Sequence, residues 1–233
     1  MIIFMDSRIW IITPSYNKHN FIDSAINTVI DQTYKNRNLF VINDYAEKKD
    51  SHIKREEIED IIKDKNDSRI NLIHNENNLW ISKSRNIAIR ECIKQDIKYI
   101  FFLDHDDQRI DIDKLKTQLN ILEKWKIWIL WSQFNIIDGF DNIIWKSANP
   151  LEYKKILDST LFSCPMLMST MGVNTKVFLK YGLLDERYNW CDDTEFLIRN
   201  LKTCYSENLP DITTNYRYFS NNTSITEWHR LIK

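Results

Sequence analysis

The chain has 233 residues, of which 43% are hydrophobic, and this is enough apolar material for the core of one large domain. Its net charge of −1 gives no electrostatic reason to expect a nucleic-acid partner. The apolar run at residues 2–4 is too short for a signal peptide or a membrane span, so we expect a cytoplasmic protein with no transmembrane segment.

The four cysteines are widely spaced and contain no C-x-x-C pair: Cys92, Cys164, Cys191 and Cys204. This spacing argues against a zinc site and predicts free thiols in a reducing compartment.

Strand and helix patterns alternate over the first half of the chain. Residues 9–13 form an apolar run that Pro14 ends, which predicts a strand. Apolar residues then recur at helical spacing between 21 and 30, which predicts an amphipathic helix. Further strands are predicted at 39–42, 70–73, 99–103 and 128–134, and further helices at 53–62, 81–93, 112–125, 174–180 and 194–201. Gly139 predicts a hairpin turn. The alternation indicates βαβ units and a parallel, Rossmann-like sheet.

Three carboxylates follow the apolar run at 99–103, namely Asp104, Asp106 and Asp107. The run predicts a strand buried on both faces, and open α/β sheets bind ligands at the carboxyl ends of such strands. Hard oxygen ligands suit Mg²⁺ or Mn²⁺, and such an ion is usually shared with substrate phosphates. The acidic element therefore predicts an enzyme that handles a metal-bound phosphate compound. An ordinary acidic helix start beside a solvated loop is the alternative.

Other polar positions also follow predicted strands or precede helices. Residues 14–17 can line a base or phosphate pocket, and Asp44 can accept a hydrogen bond from a pyrimidine N–H. The planar donors of Arg85 suit a base carbonyl or a diphosphate. Asp192 and Asp193 precede an apolar helical pattern. Each position has an ordinary alternative, which is a turn, a helix-surface ion pair or a helix cap.

Six short blocks resemble, in order and spacing, the inverting family 2 glycosyltransferases with the GT-A nucleotide-sugar fold. The blocks are residues 11–17, 41–44, 84–86, 103–107, 181–186 and 192–196, and together the matches span roughly residues 9–200. The resemblance implies an α/β fold with a single Rossmann-like GT-A domain, whose central sheet is mostly parallel and flanked by helices.

The predicted domain covers residues 1–208. Its nucleotide-binding half is expected at about 8–110, and a less regular acceptor half at about 111–208. Residues 209–233 are predicted to be a C-terminal tail that packs on the domain.

The resemblance also assigns roles to individual residues. It implies a nucleotide-sugar donor whose nucleotide contacts Pro14, Tyr16, Asp44, Arg85 and Asp104. Because the acid Asp44 and the guanidinium of Arg85 can pair with the N–H and the carbonyl of uracil, we expect a UDP-sugar. Asp106 would be the direct ligand of Mn²⁺ or Mg²⁺, Asp104 would lie near the metal and the ribose, and His105 would be a spacer.

The same resemblance implies the reaction. Asp193 would act as the general base for an acceptor hydroxyl, and Asp192 or Glu195 would hold the acceptor or orient the base. The sugar would pass with inversion to a saccharide or a lipid-linked saccharide, in glycan or polysaccharide synthesis. A lipid-linked acceptor would bring the protein to the inner face of the membrane.

Several residues depart from the family pattern. Trp80, Tyr45 and Trp190 stand where small residues are usual, and Gly permits a positive φ that Trp disfavours. Phe219 stands where the family often has His, with His229 as a substitute metal ligand. Two other functions stay open, the first because of these departures and the second because of the Asp-x-Asp element. One is a catalytically weak nucleotide-sugar-binding protein of the same fold, and the other is an Asp-x-Asp phosphatase or nucleotidyltransferase.

Overall fold

The structure, a computed structural model, describes residues 7–16, 19–44, 55–125, 127–160, 164–188, 191–219 and 222. Asn17, Tyr45, Trp190 and His229, which the sequence analysis singled out, lie outside these residues. The strands are β1 (Ile9–Ser15), β2 (Arg37–Asn43), β3 (Ile70–His74), β4 (Tyr99–Phe102), β5 (Gln108–Arg109), β6 (Ile129–Ile137), β7 (Ile143–Lys146), β8 (Gly172–Asn174) and β9 (Ser206–Arg217). The helices are α1 (His19–Ile30), α2 (Arg55–Lys65), α3 (Ile81–Lys94), α4 (Lys114–Lys124), α5 (Tyr153–Ser159), α6 (Lys176–Tyr181) and α7 (Asp192–Leu201), with a 3₁₀ helix at Met168–Thr170.

The strands form one mixed sheet in the order β3-β2-β1-β4-β8-β6-β9-β5, with β7 paired to β6. The nucleotide half is parallel, because β1 pairs in parallel with β2 and β4, and β2 with β3. Antiparallel pairs enter through β8, which joins β4 to β6. The predicted α/β class with helices flanking a central sheet is confirmed.

The sheet is buried on both faces. Alternate residues of β1 enter opposite core layers, with Trp10 and Ile12 in one and Ile9 and Ile11 in the other. The predicted double burial of the strand before the acidic element is also correct, since every residue of β4 is buried. β8 pairs antiparallel with β4, and a Cβ on Gly172 would lie 2.6 Å from Phe101 Cε1, so only glycine allows this approach.

The predicted tail boundary at residue 209 is wrong, because 209–217 belong to β9 in the central sheet. β9 pairs in parallel with β6 and antiparallel with β5. Two features keep the sequence of β9 from showing the apolar alternation of an ordinary strand. The register shifts beside Pro210, and buried hydroxyls replace apolar side chains, as in the 2.6 Å hydrogen bond between Ser132 Oγ and Thr213 Oγ1.

No helix in the described ranges is both long and apolar enough to cross a bilayer. All four cysteines are unpaired, as predicted.

Candidate active site

Three residues form a row along one edge of the sheet, where the parallel strands β1, β2 and β3 end. In the strand register Ser15 lies opposite Asn43, and Asn43 opposite His74, so the next residues, Tyr16, Asp44 and Asn75, are neighbours. The backbone confirms the row, since Asp44 N donates to Ser15 O at 2.9 Å and Asn75 N donates to Asn43 O at 2.9 Å. The predicted nucleotide-contact positions Tyr16 and Asp44 therefore lie side by side.

Asp44 is buried, and its carboxylate is only partly used by the protein. Its Oδ1 accepts hydrogen bonds from Asn75 Nδ2 at 2.8 Å and from Leu79 N at 2.7 Å. The Asn75 amide also donates to Ser84 Oγ at 2.9 Å, which ties the carboxylate to the first turn of α3. Asp44 Oδ2 accepts no hydrogen bond from the described residues, so it is the oxygen that can face a ligand.

The acidic element follows β4 on the same edge. Asp107 is buried, and its Oδ2 accepts from Ser169 Oγ at 2.5 Å while its Oδ1 accepts from Arg217 N at 3.0 Å. Burial, together with the charges of Asp106 and Asp104, raises the pKa of Asp107 well above its usual range. Asp107 is thus a structural carboxyl group, whereas Asp104 and Asp106 are more exposed.

Arg217 on β9 anchors the acidic element from the far end of the chain. Its Nε donates to Asp106 O at 3.1 Å, and its Nη1 donates to Asp138 O at 3.1 Å in the β6–β7 hairpin. Sequence reasoning found neither Arg217 nor Ser169. Ser169 lies outside the six blocks, and the family element that contains Arg217 pointed only to Phe219. The partners of both residues in the acidic element are more than 60 positions away.

Arg85 joins the two acidic clusters that the sequence analysis identified. It is buried, and its Nη1 binds Asp192 Oδ2 at 2.7 Å while its Nη2 binds Asp104 Oδ1 at 2.5 Å. The ion pairs bring the start of α7 next to the end of β4. The expected contact between Arg85 and the nucleotide competes with these carboxylates, which already use both amine groups.

Asp192 and Asp193 begin α7 and differ in exposure. Asp192 is buried, and burial raises its pKa against the opposing charge of Arg85. Asp193 is partly exposed, and its Oδ1 accepts from Thr194 N at 2.6 Å. Burial first, and then the charge of Asp192, raises the pKa of Asp193 to about 6.

The carboxylates near β4 fit a divalent ion that is completed by substrate oxygens. Among the described residues, no three His, Cys, Asp or Glu side chains are grouped so as to hold a metal alone. Mg²⁺ in phosphate-handling sites commonly uses one or two carboxylates plus phosphate oxygens and water. Asp104 and Asp106 match this mode, and the ring of Phe219, which packs against Phe21 at 5.3 Å, adds no ligand.

His105 links two loops of the site. Its Nδ1 lies 3.2 Å from Pro14 O, so it connects the acidic element to the end of β1.

Known proteins resemble the chain in both sequence and fold. The sequence model of glycosyl transferase family 2 matches residues 10–182, and the chain belongs to that family. An uncharacterized glycosyltransferase of Haemophilus influenzae is 28% identical over 92% of this chain. The Escherichia coli UDP-Glc:alpha-D-GlcNAc-diphosphoundecaprenol beta-1,3-glucosyltransferase WfgD is 31% identical over 68% of it. The chain spans 66% and 58% of the lengths of these two relatives.

Solved structures show the same fold. Staphylococcus aureus TarS 1-349 in complex with UDP has a TM-score of 0.69 at 16% identity and covers 91% of this chain, which spans 61% of that one. The mannosyltransferase PcManGT of Pyrobaculum calidifontis, in complex with GDP-Man and Mn²⁺, has a TM-score of 0.70 at 11% identity. That match covers 97% of this chain and 61% of the other. The predicted GT-A fold and family are confirmed. Asp192 and Asp193 lie beyond the residues that the family model matches.

Proposed function

We propose that the chain transfers a sugar from a nucleotide-sugar donor to an acceptor hydroxyl, with inversion at the anomeric carbon. The observation that carries the proposal is the Arg85 bridge, which brings a donor-side acid, Asp104, next to the acid pair at the start of α7. A displacement at a sugar carbon needs a diphosphate site and a proton acceptor within one sugar ring of each other. The two acidic clusters can supply these two functions.

On the donor side, Pro14, Tyr16 and Asp44 would contact the nucleoside. A UDP-sugar is the simplest donor, since the name of the Escherichia coli relative specifies UDP-Glc and the TarS structure contains UDP. Asp104 and Asp106 would hold Mn²⁺ or Mg²⁺, and the ion would supply positive charge to stabilise the departing diphosphate.

On the acceptor side, Asp193 would take the proton of the attacking hydroxyl. Its raised pKa of about 6 makes it a better proton acceptor than an ordinary carboxylate, and it is still ionised at neutral pH. Arg85 would act as a positioning residue that keeps Asp192 charged and fixes the start of α7. The acceptor would be a saccharide or a lipid-linked saccharide, as in the Escherichia coli relative's name.

The experiment is a transfer assay with a panel of nucleotide sugars, with and without saccharide and lipid-diphosphate-saccharide acceptors. We expect release of the nucleoside diphosphate to require an acceptor, and the product to carry the inverted linkage. Release of inorganic phosphate without sugar transfer would instead support the phosphatase alternative. Donor binding without turnover for every acceptor would support the catalytically weak binding protein.

A further inference from the structure

Trp80 has a backbone conformation that its residue type disfavours. Four non-glycine residues in the described ranges have positive φ, and three of them are Asn or Asp, which tolerate it: Asn66, Asp96 and Asp141. The fourth is Trp80, with φ of 70° and ψ of 163°. That region of φ/ψ space is populated essentially by glycine.

Hydrogen bonds on both sides impose this conformation. Leu79 N donates to Asp44 Oδ1 at 2.7 Å, and Trp80 N donates to Asn78 Oδ1 at 2.9 Å. Trp80 O accepts from Ser84 N at 3.0 Å in the first turn of α3. The backbone is therefore held by groups that do not involve the indole, and any side chain at this position would be strained.

The indole does not offset that strain by burial, because the residue is 50% exposed. A large apolar side chain that is both strained and exposed contributes nothing evident to folding. Strain of this kind concentrates at ligand sites.

A second exposed aromatic residue lies next to Asp44 at the end of β1. Tyr16 is 42% exposed and directly follows Ser15, whose carbonyl oxygen accepts from Asp44 N at 2.9 Å. Trp80 directly follows Leu79, whose amide binds the Asp44 carboxylate. Two half-exposed aromatic side chains thus start one residue away from groups bonded to Asp44, one from β1 and one from the start of α3.

We propose that the Trp80 indole stacks on the nucleobase of the donor, beside Tyr16 and with Asp44 Oδ2 facing the edge of the base. The inference rests on the proposed function, since it requires a nucleotide in this pocket. Base–aromatic stacking tolerates any base, so Trp80 supplies affinity and Asp44 supplies selectivity.

The test uses the full chain and measures binding of UDP and of inorganic pyrophosphate, each with Mn²⁺, by calorimetry. Trp80→Ala and Trp80→Gly should weaken UDP binding by about 5- to 150-fold, the range expected from stacking one base on one aromatic ring. Trp80→Phe should retain most of the affinity. Pyrophosphate has no base, so its binding should not change in any variant.

The matched control is Trp125→Ala. Trp125 is 61% exposed and closes α4 shortly before the amino end of β6, on the opposite edge of the sheet from Asp44. It should leave UDP binding unchanged. Thermal unfolding adds an independent readout, because Trp80→Gly relieves the backbone strain and should melt above Trp80→Ala.

UDP affinity equal to wild type in both Trp80→Ala and Trp80→Gly would overturn the inference, as would an equal loss of pyrophosphate binding. Failure of the wild-type chain to bind any nucleoside diphosphate would overturn the proposed function as well.

Discussion

Ser169 Oγ lies between two members of the acidic element, since it donates to Asp107 Oδ2 at 2.5 Å and accepts from Asp104 N at 2.9 Å. One hydroxyl group thereby fixes the position of both the Asp104 backbone and the Asp107 side chain. The 3₁₀ helix that contains Ser169 is in turn bonded to α4, because Lys114 Nζ and Gln118 Nε2 both donate to Thr170 O. The geometry of the acidic element therefore depends on the 3₁₀ helix and on α4, which packs against that helix.

Ser169→Ala should lower the free energy of unfolding by about 1–3 kcal/mol, because buried Asp107 loses a hydrogen-bond donor. Chemical denaturation measures the change. The matched control is Ser159→Ala, whose Oγ bonds to a carbonyl within its own helix at 2.7 Å, and it should cost at most about 0.5 kcal/mol. Equal losses in the two variants would contradict the role of Ser169.

Asp193→Asn should reduce sugar transfer by about 10²- to 10⁴-fold, the usual loss when a general base is removed. Donor affinity should stay near wild type, because the proposed donor contacts lie at the ends of β1, β2 and β4 and at the start of α3, not on α7. Initial rates and UDP calorimetry separate the two effects.

Asp192→Asn tells the two acids apart. This change removes a partner of Arg85 and should lower stability, so its activity must be compared at a temperature where the variant is folded. Near-normal transfer by Asp193→Asn, with loss in Asp192→Asn, would make Asp192 the base. Near-normal transfer by both variants would show that neither acid is the base and that the pair only caps α7.

The pKa of about 6 at Asp193 predicts that transfer slows as pH falls below about 6, because the base becomes protonated. The linked effect on stability has the opposite direction. A carboxyl group whose folded pKa lies above its ordinary 3.8 stabilises the fold at pH below that value and loses the contribution as pH rises through 6. A pH profile of kcat/KM at saturating metal tests the first effect. A flat profile between pH 5 and 8 would exclude Asp193 as the titrating base.

Mn²⁺ or Mg²⁺ should strengthen UDP binding, and Asp106→Ala should remove that dependence while the protein stays folded. Calorimetry with metal and with EDTA measures it. Asp211→Ala, an exposed acid on β9, is the control and should behave as wild type. Equal UDP affinity with and without metal in the wild-type chain would exclude the metal assignment.

Uridine should be preferred to adenosine and guanosine. Asp44 Oδ1 already accepts two hydrogen bonds, so one oxygen remains, and it matches the single ring N–H of uracil better than the adjacent donors of guanine. A thermal-shift panel of nucleoside diphosphates decides the question. A larger shift with GDP than with UDP would show that the pocket is selective for another base.

The parts of the fold that follow simple periodicity could be predicted from the sequence. β1, β4 and α1 have continuous apolar runs or clear helical spacing, and their predicted bounds lie within a few residues of the observed ones. β8 and β9 could not be found in this way. β8 is only three residues long, and β9 pairs through buried Thr side chains and a register shift.

In the site, too, some residues could be identified from the sequence and others could not. Asp44, Asp104 and Asp193 could be proposed because each lies in a block that resembles the family, after a predicted strand or at a predicted helix start. The partners of Arg85 could not, because they depend on how α3 packs against α7 and β4. A sequence shows that a guanidinium is present, but only the packed structure shows that two carboxylates already bind it.

β9 has a consequence for the order of assembly. Arg217 binds Asp107 and Asp106 through contacts that span 110 and 111 positions, so the acidic loop gains this anchor only when β9 has joined the sheet. Contacts of such long range form late, because loop closure must precede them. During synthesis the nucleotide-binding half would leave the ribosome first, and its parallel strands could already pair. The loop that carries Asp104 and Asp106 would still lack the hydrogen bonds from Arg217. Competence for chemistry would then arise in the final step of folding, after most of the core has formed.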